Sequence, residues 1–557
     1  MISQPQAKLI LDYIYENEAR YPDRIYLTQP IGAGNVVNYT WRQVMDQARR
    51  MATFLQTRGV RSGVQVALLS KNCAHFFMAE LAIWMAGGTT VAIFPTESAE
   101  TVRFVLEQSD AQILFVGKLD TWEQQMAGVP ENMPRIFLPL APANSGEKWD
   151  QLLDVHQPIA GMPSRKPDEL AMINYTSGST GLQKGAMHSF GRLTRATEII
   201  VNTIQTTSSD RCISYLPLAH IFERAFVECA SLMVGSHIFF AETLETFIGD
   251  IKRAQPTIFL SVPRLWLKFQ LGVFLHMPER RLEFLLRIPF LNRIIGRKVL
   301  AGLGLDQVRL AGSGSAPIPP ELITWYRRLG LNLIEGYAMT EDFACSHLST
   351  TEFNKVGYVG VPLQGVEVKI SEGDEILIKS PGQFIGYYKR PDLNAECFTQ
   401  DGFFKTGDQG YRDANGMLKI TGRVKELFKT AKGKYVAPAP IENMFNANSL
   451  VELSLVSGVG QAAAYGLIQL SEDQRKKTDD PAVRASIEAE LKKLLHDTNR
   501  QLVEYERVQM LIVVSEPWSI ENGMLTPTMK IKRNRIEDSV KNNLESWYGA
   551  GKEVIWA

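Results

Sequence analysis

The chain has 557 residues, and 60 Lys and Arg against 60 Asp and Glu leave no formal net charge. Hydrophobic residues make up 45% and charged residues 22%, a globular balance that excludes a disordered chain, a collagen-like chain and a dedicated polybasic nucleic-acid binder. At roughly 150 residues per domain the length predicts about three or four domain-sized units, enough to bury a core without disulfide or metal staples.

Residues 41–58 have helical spacing, with Val44, Ala48, Met51 and Leu55 on one face. A strand follows at 64–69, a helix at 76–85, a strand at 90–94, a helix at 101–108 and a strand at 113–116. This alternation, recurring at 192–240 and 255–335, predicts βα units in a mostly parallel, doubly wound sheet, hence an α/β fold. Residues 280–298 carry six basic residues and one acid, Glu283, among Leu, Phe and Ile, and Pro289 divides them into two short helices. Such a segment suits either a membrane surface or a solvated helix pair covering the large domain. From about residue 360 the pattern changes. Short alternating runs at 366–370, 375–378 and 417–420, with turn pairs Glu372-Gly373, Asp401-Gly402 and Asn415-Gly416, read as antiparallel hairpins. Beyond 424 short strands mix with a charged helix at 482–500, so a domain boundary is placed near 422–425.

Five cysteines, at 73, 212, 229, 345 and 397, are odd in number and form no CxxC or HxxxC cluster. Reduced thiols and a cytoplasmic location are therefore expected, rather than a disulfide framework or a zinc site. The N-terminal stretch is charged throughout and lacks the apolar core of a signal peptide. The long uncharged stretch at 453–470 is broken by Gly, Ser and Gln, so membrane contact is expected to be peripheral at most.

The strongest local signal is Tyr175-Thr-Ser-Gly-Ser-Thr-Gly-Leu-Gln-Lys-Gly185, which concentrates glycines, hydroxyls and Lys184 after a short apolar stretch. Successive backbone N–H groups of such a loop can converge on a phosphate, with hydroxyls and Lys184 adding donors. The spacing is not that of a Walker A motif, because Gly185 follows the lysine where Ser or Thr is required.

With its neighbours in order, this loop resembles the signature of the adenylate-forming superfamily, which includes acyl-CoA synthetases, luciferases and peptide-synthetase adenylation domains. Leu216-Pro-Leu-Ala-His-Ile-Phe-Glu-Arg224 resembles a stretch of long-chain acyl-CoA synthetases. Gly312-Ser-Gly-Ser-Ala-Pro317, Glu335-Gly-Tyr-Ala-Met-Thr-Glu341, Thr406-Gly-Asp408 with Tyr411, Gly422-Arg-Val-Lys-Glu426 and Leu525-Thr-Pro-Thr-Met-Lys-Ile-Lys-Arg533 follow as further motifs of the superfamily. The resemblance implies a large AMP-binding domain over 1–422, built of doubly wound sheets plus a β-barrel-like subdomain at about 360–422. A small, mobile α+β domain over 426–557 would follow a hinge near 423–425.

It also implies a chemistry. A fatty acid would be activated with ATP and Mg²⁺ to an acyl-adenylate, and coenzyme A would then take the acyl group. ATP or AMP would be held by Thr176, Ser177, Gly178, Ser179, Thr180, Gly181 and Lys184, by Gly314, Ser315 and Ala316, and by Glu335, Gly336, Tyr337, Ala338, Met339 and Thr340. Asp408, Tyr411 and Arg423 would complete that site around the ribose. Glu341 and Thr176 would hold Mg²⁺, and His220 would shape the carboxylate end of the acyl site. Lys425 matches the hinge, and Lys432, Gly433 and Lys434 match the loop near the CoA pantetheine. The catalytic lysine is ambiguous: aligning Thr528 without gaps selects Lys532, but Ile531 replaces the family's Gly, which leaves Lys530 a rival. Two other readings keep the fold. The acyl group could pass to another acceptor or to ring closure, or the chain could be a fatty-acid uptake or binding protein. Nucleic acid is not expected as a partner, and oligomeric state is not legible.

Overall fold

A computed structural model describes residues 8–143, 146–177, 183–350, 352–526 and 529–557. The first element that positions the site is a seven-stranded sheet. Its order runs Glu147–Lys148, Arg135–Phe137, Ile113–Val116, Gln65–Leu69, Thr89–Ile93, Leu170–Ser177 and Gln183–Ser189. Every pair is parallel except the last, a hairpin. The βα alternation read from the sequence supplies its crossovers. Trp41–Thr57 is a helix capped by Thr40, whose Oγ1 accepts from the Gln43 amide. Its Val44, Ala48, Met51 and Leu55 are all buried. Apart from His75 and Glu80, Ala74–Ala86 is apolar all round, and every residue of it is buried, as expected of a helix enclosed by protein.

A second sheet sets Ile258–Ser261, Leu310–Ser313 and Leu333–Tyr337 parallel, then adds two short antiparallel strands, His347–Leu348 and Val361–Pro362. A third combines Arg211–Ser214 and His237–Phe240 with the N-terminal hairpin Ile25–Pro30 and Val36–Thr40. Between Ile258–Ser261 and Leu310–Ser313 the chain makes three helices, Pro263–His276, Glu279–Leu286 and Leu291–Leu303. Pro289 falls between the last two.

The strands expected after residue 360 form Glu367–Ile370, Glu375–Lys379, Phe404–Arg412 and Leu418–Arg423, all antiparallel. They make an open four-stranded sheet and not a barrel-like closure, since four strands are too few to close at the tilt a barrel requires. C-terminal to them, Val451–Ser457, Ala464–Leu470, Val508–Val513 and Val554–Trp556 form a further sheet. The helices Pro438–Asn446 and Pro481–Asn499 pack into one of its two apolar clusters, and residues of Arg533–Val540 into the other. Among the described residues no helix is long and apolar enough to cross a membrane, and no group of His, Cys, Asp or Glu could by itself hold a metal ion.

Candidate active site

The site begins at the hairpin Leu170–Ser177 and Gln183–Ser189. Its register sets Thr176 opposite Lys184 and Tyr175 opposite Gly185. A Cβ on Gly185 would meet Ile173 at 2.7 Å and the Tyr175 ring at 3.0 Å, so only glycine fits there. The tip, with Gly178, Ser179, Thr180 and Gly181, lies outside the described residues, as do the Ser177 side chain, Pro527 and Thr528. The far edge of the hairpin carries residues 385–388, through Tyr388 N to Gly185 O at 2.8 Å and Met187 N to Gly386 O at 3.0 Å. This brings the Tyr387 ring beneath Lys184, whose Nζ stands 5.3 Å from its centroid. The Tyr387 hydroxyl donates to Glu341 Oε1 at 2.6 Å. Lys184 and Glu341, 157 positions apart in the chain by their numbers, thus share one aromatic support.

Glu341 sits in a single 3₁₀ turn, Thr340–Asp342. Asp342 closes the turn by accepting from the Met339 amide at 3.0 Å. Its carboxyl is buried and pushed up to about 8, chiefly by burial, with Glu341 adding repulsion. Glu335, at the other end of the motif, is also buried and pushed up to about 8 by burial, although the Ile318 amide donates to it. Gly314, Gly336 and Phe222 converge: a Cβ on Gly314 would lie 3.4 Å from Gly336 O and 3.6 Å from the Phe222 ring. Ser315 has a left-handed φ of 68°, and Ala316 beside it is exposed. Gly336, Tyr337, Ala338, Met339 and Thr340 are all half-buried, as residues along a cleft wall are.

Asp408 and Arg423 face each other across neighbouring strands. Arg423 Nε donates to Asp408 Oδ1 at 2.7 Å, and the Tyr337 hydroxyl donates to Oδ2 at 2.7 Å. Burial, and then the Asp408 charge, hold the Tyr337 phenol well above its ordinary value. Gly407, with a φ of 72°, makes the turn that delivers Asp408, and the Thr406 hydroxyl accepts from the Asp408 amide.

The C-terminal unit contributes Lys530. Leu525 bridges Ile531, Thr526 N donates to Lys530 O at 2.8 Å, and Met529 adopts a left-handed φ of 63°. This tight turn sets Lys530 near Arg423, Asp408 and Glu341, and Lys532 follows it as the cap residue of Arg533–Val540. Lys530 is exposed to solvent, with protein groups around its ammonium. That surrounding pushes its ammonium down and Arg423 adds to the effect, while Asp408, Glu426 and Glu341 oppose it. Lys532 instead acts on Glu97, a half-buried acid that accepts from Gln183 Nε2 at 2.6 Å.

His220 caps Ile221–Glu223, with its Nδ1 accepting from the Phe222 amide at 3.2 Å. Burial, and then Lys530, push it down to about 3. The ring is therefore neutral at pH 7, with its proton on Nε2, a donor rather than a base. Tyr411 does not join this group. It is 43% exposed and packs edge-on against Tyr358 at 6.4 Å. Lys425 is exposed in a turn closed by Glu426 N to Arg423 O at 3.1 Å. Lys432 and Lys434 are exposed on a hairpin turned by Gly433 at a φ of 76°. Lys434 stands 5.8 Å from the Tyr505 ring, so this hairpin packs on the C-terminal unit rather than on the Asp408–Lys530 group.

Sequence reasoning did not single out Tyr387, Asp342 or Glu97. Phe222 lay within a recognised stretch. Tyr387 carries no local signal beyond its place after Gly386.

The assembled cleft offers a carboxylate braced by Arg and Tyr, a lysine opposite it, and a second lysine and carboxylate at the mouth of a glycine-rich hairpin. That is donor and charge placement for a nucleotide and an acid. Comparison with known proteins agrees. The AMP-binding enzyme family matches residues 14–388, and the AMP-binding enzyme C-terminal domain matches 426–552. A long-chain-fatty-acid–CoA ligase of Mycobacterium tuberculosis is 28% identical, covering 96% of this chain and 96% of its own. Long-chain-fatty-acid–CoA ligase 1 of Homo sapiens is 28% identical, covering 92% of this chain and 83% of its own. Among solved structures, the adenylation domain of a carboxylate reductase from Mycobacterium chelonae has the same fold, with a TM-score of 0.82 at 22% identity, covering 98% of this chain and 92% of that one. O-succinylbenzoate coenzyme A synthetase of Bacillus subtilis, in complex with AMP, has a TM-score of 0.72 at 22% identity, covering 94% and 98%. With the family matched over both parts of the chain and the cleft formed between them, this protein belongs to the AMP-binding enzymes, as an ATP-dependent, AMP-forming ligase of the adenylate-forming acyl-CoA ligase group.

Proposed function

We propose that the acid is a long-chain fatty acid and the acceptor coenzyme A. The observation that carries the reading is Lys530, held by its turn in the cleft that Asp408, Arg423 and Glu341 line. A carboxylate is a poor acyl donor, because its leaving group would be oxide. Attaching AMP makes the leaving group a phosphate, but an acid anion must first meet the α-phosphate, so positioned positive charge is required. Lys530 sits where it can neutralise both anions at once. Asp408, braced by Arg423 and Tyr337, accepts from the ribose hydroxyls, as an ionised carboxylate is acceptor-only. His220 offers Nε2–H near the acid. Lys184 and the hairpin donor Thr176 take the outer phosphates.

Glu341 fits a Mg²⁺ site. Magnesium in nucleotide sites is held by one or two carboxylates plus substrate phosphates and water; Glu341 supplies one carboxylate beside Lys184, and Thr176 stands opposite Lys184 in the hairpin. The ion would neutralise the triphosphate. After pyrophosphate leaves, Lys530 has no further task. Rotation of residues 426–557 about the turn at Lys425 would bring Lys432, Gly433 and Lys434 toward the cleft for the thiol. Relatives similar over nearly the full chain support the fatty acid and CoA.

The acid's source extends the reading to peripheral membrane contact through 280–298. Phe284, Phe290 and Ile294 are 65%, 83% and 63% exposed. Exposed Arg280, Arg281, Arg287, Arg293, Arg297 and Lys298 surround them, while Glu283 is paired with Arg328 at 2.7 Å. Apolar side chains ringed by basic ones suit an anionic lipid surface. Co-sedimentation with phosphatidylglycerol vesicles, lost in a Phe284→Ser, Phe290→Ser variant, checks it.

The deciding experiment is ATP–pyrophosphate exchange across C4 to C20 acids, followed by thioester detection with CoA. Exchange with long acids and a thioester product support the proposal. Exchange without thioester moves the acceptor elsewhere, as in the carboxylate reductases of like fold. Fatty-acid binding without exchange leaves only a carrier.

A further inference from the structure

The two parts of the chain that form the cleft are joined by an ion pair remote in sequence. Arg264, in the first turn of Pro263–His276, donates through Nη2 to Glu452 Oε1. Each side of the pair is anchored. On the large domain, Trp266 Nε1 donates to Gly312 O at 3.3 Å, and its own carbonyl accepts from the Tyr326 hydroxyl at 2.6 Å. The turn carrying Arg264 is thereby tied to the glycine loop at 312–317. On the C-terminal unit, Glu452 Oε2 accepts from Arg475 Nη1 at 2.7 Å and from Gln469 Nε2 at 3.1 Å. The two side chains are 35% and 21% exposed. Water can therefore reach the pair when the units separate, unlike a sealed ion pair, whose parting would strand bare charge.

We infer that Arg264 and Glu452 form a latch that holds the C-terminal unit in the adenylation orientation, acting as positioning residues for Lys530. The inference rests on the proposed two-step reaction and adds the device that selects its first step. A second approach between the units lies at Lys532, beside Glu97 and so beside Gln183 at the foot of the phosphate hairpin. The two contacts stand on different elements of the C-terminal unit, the strand Val451–Ser457 and the cap of Arg533–Val540. Together they fix the orientation of that unit, which a single contact would leave free to pivot. Rotation for the thioester step would part both. Arg264 touches no group that reacts, so its removal should change how often Lys530 is in place and not what it does there.

The test compares Arg264→Ala, Glu452→Gln and the double variant in both half-reactions. Acyl-adenylate formation should fall about three- to fivefold in each single variant, the range of a half-exposed ion pair. Thioester formation from supplied acyl-adenylate should hold or rise. The double variant should be no worse than Glu452→Gln, since one interaction is lost once. Equal losses in both half-reactions, no loss in either, or losses that multiply in the double variant overturn the latch. Wild-type protein that shows no exchange with any acid overturns the reaction itself, a failure read before any variant is made.

Discussion

Two arginines of this chain each lie beside carboxylates, and their surroundings give them opposite work. Arg224 is sealed in the core with Glu80 and with Glu228 at 3.2 Å, all without solvent exposure. Arg423 braces Asp408 at 2.7 Å while remaining half exposed on the wall of a cleft. In the first group one guanidinium meets two carboxylates, and burial, more than any neighbour, keeps Glu228 well above the usual carboxylate range. A neutral, closed group of that kind can only hold elements together: Ala74–Ala86 supplies Glu80, and a π-helical turn, Arg224–Cys229, supplies the rest. The second group keeps charge that water, and therefore a ligand, can reach. Residue type does not separate a strut from a site here. Access does.

The sharpest break of this contrast is to remove one charge from the sealed group. Arg224→Met should cost about 3–5 kcal/mol of stability, because it strands carboxylates in the core. Adding Glu80→Gln and Glu228→Gln should recover most of that loss, measured by denaturant unfolding. A single variant as stable as the parent would mean that water enters the core.

In the open group the same operation should spare the fold and remove chemistry. Lys530→Ala should slow acyl-adenylate formation by about 10²- to 10³-fold, the scale of losing one positioned donor to developing charge. The melting temperature should stay near the parent's. Lys532→Ala, which removes only the approach to Glu97, should cost less than about fivefold in the same assay. Reversed magnitudes would return the catalytic role to Lys532.

That pair of lysines marks how far the sequence could be read. The βα alternation, the antiparallel change after 360 and the helix break at Pro289 follow from local periodicity and turn chemistry, and the folded chain has each of them. The choice between Lys530 and Lys532 depends on a turn. Met529 in a left-handed conformation and the Leu525–Ile531 bridge set Lys530 near Asp408 and Lys532 near Glu97, and no spacing rule encodes that. Tyr387 was illegible for a related reason. It supports Glu341 from 46 positions away, a distance only the packed sheet can close. Arg224 lay in a recognised stretch beside His220, but its burial follows from Ala74–Ala86 packing over it. Tyr411 matches a motif, and its strand sets its ring edge-on against Tyr358.

A smaller effect probes the turn at Lys425, on the route between the cleft and the C-terminal unit. Proline is disfavoured at the third position of the turn that Arg423 and Glu426 close. Lys425→Pro should therefore restrict rotation and slow thioester formation on the order of tenfold, with adenylation little changed. Equal slowing of both steps would place the defect in Arg423 rather than in the turn.

The mildest test separates buried charge from open charge by pH alone. Asp342 is pushed up to about 8 in the folded protein, first by burial, and ionises near 3.9 when unfolded. The folded state therefore keeps a proton that the unfolded state releases. Its contribution to stability is full below about pH 4 and is lost as pH rises toward 8, at about 1.4 kcal/mol per pH unit for one whole proton. Asp342→Asn carries no such proton and still accepts from the Met339 amide. Its stability should fall less steeply than the parent's between pH 5 and pH 8, so the variant gains on the parent as pH rises. An unchanged slope would mean that Asp342 is ionised in the folded state, with its charge met by a group at the Glu341 end of the cleft.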